Sequence, residues 1–364
     1  MKILYVCGDN LAHPACGCAQ RSLFLHRTLK QLGDVSVLNP NELDRGSGLY
    51  RLFAIPFLKL TKVAPWPFRS VKGIGISNAD YDIVVCRYLS NAAKIVAWKI
   101  APCYVDVDDV PVEAFHSVES KRLPRWMRPW CGWLVKAWQW YCLGKCAGAW
   151  VANPGQKEVV SRRTRCEVLK NIAREAGKDY NVNGQQEEVL MSVGLMGYKP
   201  NSEGVDWFLK NVWLKVHERW PNLKYAIAGG GASLEKMTSW AKYPNVEPLG
   251  FVDDIDALYQ KSIAVVAPIL SGAGTCIKVV EAVVHGRMIL CTQKATRGNE
   301  KLRGVTAFCD ADEFVAELGK WTDLPERQRQ LAQQKIAAAA KQANSFETFS
   351  MAVRCFLAGD TRSV

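Results

Sequence analysis

Short apolar runs alternate with amphipathic stretches of helix length along almost the whole chain, and this alternation restricts the fold more than any other feature. Lys2–Cys7 (KILYVC), Val35–Leu38, Tyr81–Cys86, Pro102–Asp109, Ala147–Ala152 and Cys166–Leu169 supply the runs of the first half. Val189–Val193, Leu223–Ala228, Leu249–Val252, Ile263–Ala267 and Met288–Thr292 supply those of the second. They are continuous rather than alternating in polarity, as strands covered on both faces are. Helical periods fall between them, such as Leu23, Leu25, Leu29 and Leu32 before Gly33, and Val205, Phe208, Leu209, Val212, Trp213 and Val216 within Glu203–Val216. Asp253 and Asp254 precede Ile255–Lys261 as caps. A βαβ succession gives parallel sheets with ligands at the carboxyl ends of the strands. At 364 residues the chain exceeds one small core, so the expectation is an α/β protein of two doubly wound, Rossmann-like domains facing a central cleft. Residues 173–188 (AREAGKDYNVNGQQEE) are polar without a core pattern and read as the linker. The first domain is then 1–172 and the second 189–343, and residues 344–364, with the helix Phe346–Leu357, return to brace the first.

Function turns on Ser262–Gly286 (SIAVVAPILSGAGTCIKVVEAVVHG). An apolar strand stops at Pro268, Ser271–Thr275 forms a loop of small residues, and a helical period runs to His285-Gly286. Strand, glycine loop and helix N-terminus together make an anion site of free N–H groups and the positive end of a dipole. Lys278 lies one turn into that helix, with Glu281 on the same face at i+3. A cation near phosphate and a carboxylate near a pair of sugar hydroxyls suit a nucleotide sugar. Spacing alone fits an ordinary connection with a surface ion pair equally well. The loop after Lys2–Cys7 has no G-x-G-x-x-G, and Cys18 stands where a second glycine would be expected, so no dinucleotide fingerprint is read there.

Forty-seven basic against thirty-five acidic residues give a net charge of +12, which favours anionic partners. Two segments contain no acid at all. Residues 46–77 hold Arg51, Lys59, Lys62, Arg69 and Lys72 among apolar and aromatic side chains, and residues 121–145 hold Lys121, Arg122, Arg125, Arg128, Lys136 and Lys145. Trp126, Trp130, Trp133, Trp138 and Trp140 crowd the second. Tryptophan at a membrane–water boundary and cations on acidic headgroups explain this composition. Nucleic acid uses the same residue types, and a core-packed helix with snorkelling ends accounts for the first segment equally well. Thirteen cysteines without a C-x-x-C, and with Cys16 and Cys18 too close for a zinc pair, read as reduced thiols of a cytoplasmic protein. Met1 and Lys2 lead straight into a strand without a signal-peptide pattern, and no apolar run approaches the ~20 residues of a membrane span. Asp106, Asp108 and Asp109 end a strand at the ligand edge. Lacking companion ligands, they read as helix caps or arginine partners, and no metal is expected. His116 follows on the same loop as a candidate catalytic residue, although a lone histidine is more often structural.

In order and interval, the blocks SVGLMGYKPNSEGVDWFL, YAIAGGG and VEPLGFVDDIDALYQKSIAVVAPILSGAGTCIKVVEAVVHGRMILCT resemble the nucleotide-sugar domain of the large retaining family of GT-B glycosyltransferases. The first half fits more loosely, through its first loop, VDVDD and VLKNI. The resemblance implies metal-independent transfer, with retention, from a nucleoside-diphosphate sugar, and no cofactor. It implies that Gly17 and Cys18 approach the donor, that Gly272, Gly274 and Thr275 hold the diphosphate, that Glu281 bonds the ribose, and that Gly230, Phe251 and Val252 line the base. The chain departs from the family at two places. The first carboxylate of its E-x7-E motif would fall on Ala273, and Leu195 and Met196 follow Gly194 where an arginine is usual. A subgroup lacking both carries a lysine in the helix, as Lys278 does here. Leaving-group stabilisation then passes to Lys278, the helix dipole and Lys199 or Arg297.

The function expected is a glycosyltransferase on the inner face of the membrane, peripherally bound, extending a saccharide or lipid-linked acceptor in cell-surface polysaccharide or lipopolysaccharide assembly. Two alternatives stand beside it: a GT-B enzyme acting on modified DNA, and a non-catalytic module binding nucleotide or an anionic polymer.

Overall fold

The computed structural model describes residues 1–12, 17–42, 80–117, 120, 123–174, 176–177, 180–184, 187–272 and 274–359. The basic-aromatic segment 46–77, together with Cys16, Lys121, Arg122 and Ala273, lies outside the described residues. The apolar runs of the first half form β1 (Lys2–Val6), β2 (Asp34–Leu38), β3 (Ile83–Arg87), β4 (Cys103–Asp108), β5 (Gly148–Val151) and β6 (Cys166–Val168). They build a parallel sheet in the order β2-β1-β3-β4-β5-β6. The second half contributes β7 (Val189–Val193), β8 (Lys224–Ala228), β9 (Val246–Gly250), β10 (Ala264–Ala267), β11 (Ile289–Thr292) and β12 (Val305–Phe308). Their order is β12-β11-β10-β7-β8-β9, again all parallel. In both sheets the order reverses direction beside the first strand, which is doubly wound topology with its ligand edge at the carboxyl ends.

Two compact units result. One comprises Met1–Lys170, Gly272–Gly274 and Phe346–Val364, the other Asn171–Ser271 and Thr275–Ser345. Each has its own core. Val84, Val105 and Ala149 are fully buried in the first, as are Val265, Val266, Ile289 and Leu290 in the second. Central strands walled by helices on both sides need no polar face, which is why their sequences run apolar without a break.

Three details refine the sequence reading. Glu203–Val216 is not one regular helix: Lys199–Phe208 passes through a π-type turn, Leu209–Trp213, into Leu214–Arg219. The wider turn buries Val212 and Trp213 together, and the Trp213 indole N–H donates to the Pro244 carbonyl at 2.8 Å. Residues 173–188 use their polarity on the second unit, since the Gly177 N–H donates to Asp256 at 2.7 Å and the Tyr180 hydroxyl to the His285 carbonyl at 2.6 Å. The helix Phe346–Leu357 belongs to the first unit, with the Phe356 ring 4.9 Å from Trp150 and the Arg165 guanidinium 4.1 Å above its face.

Candidate active site

At the carboxyl edge of the second sheet, β7 is followed by Gly194 with φ +154°. A Cβ there would sit 2.8 Å from the Lys278 Nζ, so the absence of a side chain lets an ammonium stand against the backbone. Lys278 is the second residue of the helix Ile277–Val284, within its first turn rather than a turn inside it. Its Nζ donates to Asn201 Oδ1 at 2.8 Å, and Asn201 is itself fixed by donating from Nδ2 to the Leu195 carbonyl at 2.8 Å. Burial holds the pKa of Lys278 below that of an ordinary lysine, opposed by Cys276, Cys291 and Glu281. A cation thus occupies the positive end of a helix, where the dipole disfavours it and an incoming anion would relieve it.

Thr275 precedes that helix, and its hydroxyl accepts from Asn171 Nδ2 at 2.5 Å. Glu281 lies one turn beyond Lys278. Only 12% of its side chain is exposed, its Oε2 accepts from the Tyr259 hydroxyl at 3.4 Å, and its Oε1 lies 3.7 Å from Arg174 Nε. Burial raises its pKa above the usual carboxylate value, against the pull of His285, Arg174 and the Tyr259 hydrogen bond. Between β8 and β9, the Gly229 N–H donates to the Gly250 carbonyl at 2.6 Å and the Gly230 carbonyl accepts from the Met196 N–H at 2.8 Å. Beside this turn Phe251 is 73% exposed, Leu195 is also exposed and Val252 is half-buried. Lys199 is exposed and pairs with Glu203 at 3.2 Å, while Arg297 Nε donates to the Lys294 carbonyl at 3.2 Å.

The first unit concentrates charge at the equivalent edge of its own sheet. Arg21, Arg87 and Asp106 are completely buried. Arg21 forks onto Asp106 through Nε and Nη2, both at 2.8 Å, and Arg87 Nη1 donates to the same carboxylate at 2.6 Å. Burial alone would raise Asp106, but the two guanidinium groups outweigh it and hold the carboxyl below its ordinary value. Arg87 continues to Asp108 at 3.0 Å and to the Ser22 hydroxyl at 2.8 Å, which donates in turn to Asp9 at 2.5 Å. The arginine-partner reading of the strand-end aspartates therefore holds for Asp106 and Asp108. Tyr88 and Asp108, where β3 and β4 end, both have positive φ, of 66° and 50°. Gly17 opens the helix Gly17–Lys30, and the half-buried Cys18 turns its carbonyl to Ser22 Oγ at 3.1 Å and Arg87 Nη2 at 3.4 Å. Gly272 and Gly274, grouped with this unit, have φ of +115° and +74°, which only glycine adopts at ease. His116 ends the helix Pro111–Ser117, exposed and edge-on to the Phe115 ring at 5.4 Å, with Gly132 packed against its Cε1.

The helix Arg128–Leu143 is apolar on two faces. Cys131, Val135, Trp138 and Cys142 are buried on one, while Trp130, Trp133 and Tyr141 on the other, with Trp126 just before the helix, are 71%, 63%, 55% and 73% exposed. Among the described residues no His, Cys, Asp or Glu side chains form a group of three placed to hold a metal ion. No described helix is long and apolar enough to cross a membrane, and no disulfide joins the described cysteines.

Residues 187–323 match the family model described as Glycosyl transferases group 1. The second unit carries a glycosyl transferases group 1 domain. No protein of curated function matches the chain in sequence. Among solved structures, the sucrose-phosphate synthase of Thermosynechococcus elongatus is similar over 99% of this chain and 98% of its own, with 13% identity and a TM-score of 0.66. HepE of Anabaena, in complex with UDP and glucose, is similar over 99% of this chain and 100% of its own, with 14% identity and a TM-score of 0.63. TarM, also solved from S. aureus as a mutant, has 14% identity and a TM-score of 0.60 over 79% of this chain, which spans 56% of TarM. These likenesses establish the fold, GT-B, across both sheets.

Sequence reasoning found Lys278 and Glu281 but not the residues that hold them. Asn171 and Arg174 share one segment and Asn201 and Tyr259 come from two others, and no spacing in the chain pairs 201 with 278 or 174 with 281. The one signal available was the pair of asparagines in KPN and LKN, the first opening the helix Lys199–Phe208 and the second following β6.

Proposed function

We propose that this protein is a retaining, metal-independent glycosyltransferase that moves a sugar from a nucleoside-diphosphate sugar to a membrane-associated saccharide or lipid-linked acceptor in cell-surface polysaccharide assembly. One observation carries the donor reading: a part-buried ammonium at a helix N-terminus, fixed by Asn201 in the first turn of the helix that follows β7, inside a glycosyl transferases group 1 domain. On this reading Lys278 and the first N–H groups of its helix take the charge that develops on the departing diphosphate. Thr275 contacts the diphosphate, Glu281 takes the ribose hydroxyls, and Phe251 with Leu195 and the glycine turn receives the base. Preorganised electrostatic help of this kind is commonly the largest catalytic term. The neighbours whose structures hold UDP support a nucleoside diphosphate as the leaving group.

The acceptor reading rests on the first unit. The exposed tryptophans of 126–133, in a segment without acids on a protein of net charge +12, support attachment to an anionic membrane surface on the cytoplasmic side. The decisive experiment replaces Lys278 with alanine and follows nucleoside diphosphate release and sugar transfer. Transfer should fall by roughly 10²–10³ in a protein of unchanged melting temperature. Normal turnover by that variant overturns the donor assignment.

A further inference from the structure

Glu281, whose side chain is 12% exposed, is surrounded without being closely bonded. In the first unit, Asp106 accepts three short bonds from two arginines. Glu281 has an arginine too, but its Nε stays 3.7 Å away, beyond the usual hydrogen-bond range, and the Tyr259 hydroxyl donates only a long bond of 3.4 Å. The reason lies in what else Arg174 holds. Its Nη2 is 2.5 Å from Asp256 Oδ1, so the guanidinium is anchored on a second carboxylate. Asp256 is fixed in turn by the Gly177 N–H at 2.7 Å and by His285 Nε2 at 2.9 Å. The completely buried His285 ring is held from its other side, where Nδ1 faces the Glu281 carbonyl at 2.7 Å and Tyr259 stacks on it at 4.2 Å.

We propose that Arg174, anchored by Asp256 and His285, is a positioning residue that keeps the Glu281 carboxylate charged, oriented and free to accept two hydroxyl donors. This rests on the reading that Glu281 takes the ribose. An ionised carboxylate offers about four acceptor positions. A bidentate arginine fork, as on Asp106, would occupy most of them. An arginine tethered at 3.7 Å supplies the countercharge and leaves them open. Removing Arg174 leaves a buried carboxylate without its cation, and removing Asp256 releases Arg174 to close onto Glu281. Both changes act on the ribose alone and neither acts on the diphosphate or the base.

The test is titration calorimetry of the full chain with UDP and GDP, each beside its 2′,3′-dideoxy counterpart. The ratio of the two affinities isolates the ribose hydroxyls. Wild-type protein should prefer the ribonucleotide by about tenfold or more, the range expected for hydrogen bonds to a charged group. Glu281→Gln should bring the ratio close to one, Arg174→Met most of the way there, and Arg174→Lys should recover part of it. Dideoxy affinity should stay at the wild-type value throughout. Should Arg174→Met fail to fold, Asp256→Asn reads the same ratio, with a loss expected. An unchanged ratio in the Arg174 and Asp256 variants, with its loss in Glu281→Gln, overturns the positioning role and leaves the donor reading standing. Equal weakening of both nucleotides by Arg174→Met assigns that residue a structural role only and also overturns it. A wild-type ratio near one, or no binding of either nucleotide, removes the reading of Glu281 on which it rests.

Discussion

Asn201 touches no expected substrate atom, yet replacing it with alanine should slow transfer by way of Lys278. Two contacts disappear: the 2.8 Å bond that Oδ1 accepts from the ammonium and the 2.8 Å bond that Nδ2 donates to Leu195. A hydrogen bond to a charged group contributes about 1.5–3 kcal/mol. Asn201 is only half-buried, so water can take its place and the lower end applies. If that energy is expressed in the transition state, kcat falls about tenfold to thirtyfold. The loss of the ammonium itself sets the ceiling at roughly 10²–10³. The pH profile supplies an independent sign. Lys278 already titrates below an ordinary lysine because of burial, and an acceptor on its N–H groups favours the charged form. Losing that acceptor lowers the pKa further, so the alkaline limb of kcat should move to lower pH. The assay is steady-state release of nucleoside diphosphate across the neutral to alkaline range. An unchanged kcat refutes the coupling, and a reduced kcat with an unmoved alkaline limb attributes the loss to the loop at Leu195 instead.

Three further outcomes are expected. Because burial raises the Glu281 pKa, protonation overtakes it at a higher pH than for a free glutamate; the ribonucleotide-to-dideoxynucleotide affinity ratio should therefore decline on acidification with a midpoint above 4.5, and Glu281→Gln should show no such decline. Replacing Trp126, Trp130 and Trp133 together by serine should abolish co-flotation with anionic vesicles while leaving the melting temperature unchanged, because all three side chains are exposed; retained flotation would remove this helix from the membrane reading. Phe356→Ala should destabilise the first unit by about 3–5 kcal/mol in chemical denaturation, since the ring is 3% exposed and packs on Trp150 and Tyr104.

The fold could be read from the sequence because a strand covered on both faces leaves an uninterrupted apolar run. Ile263–Ala267 and Leu223–Ala228 announced β10 and β8 for that reason. β12, Val305–Phe308, escaped because an edge strand keeps polar and exposed positions, and Thr306 and Ala307 give its run no apolar continuity. The helix after the glycine loop was legible from its period, and with it Lys278 and Glu281, although its start at Ile277 puts Lys278 in the first turn rather than one turn inside. Their partners were not, since hydrogen bonds between residues 201 and 278 or 174 and 281 depend on a three-dimensional register that no local pattern encodes. The same holds for Arg21 and Arg87: charged residues within apolar surroundings read as surface until a shared aspartate is found between them.

The membership of Phe346–Leu357 in the first unit bears on how the chain is made. The whole second unit is, in sequence, an insertion into the first, so the part that leaves the ribosome earliest is completed last. Until Phe356 emerges, the faces of Trp150 and Tyr104 lack their cover, while every strand of the second sheet has already been synthesised. The glycosyl transferases group 1 domain can therefore finish folding before the first unit does, and the first unit stays open until Phe346–Leu357 has emerged.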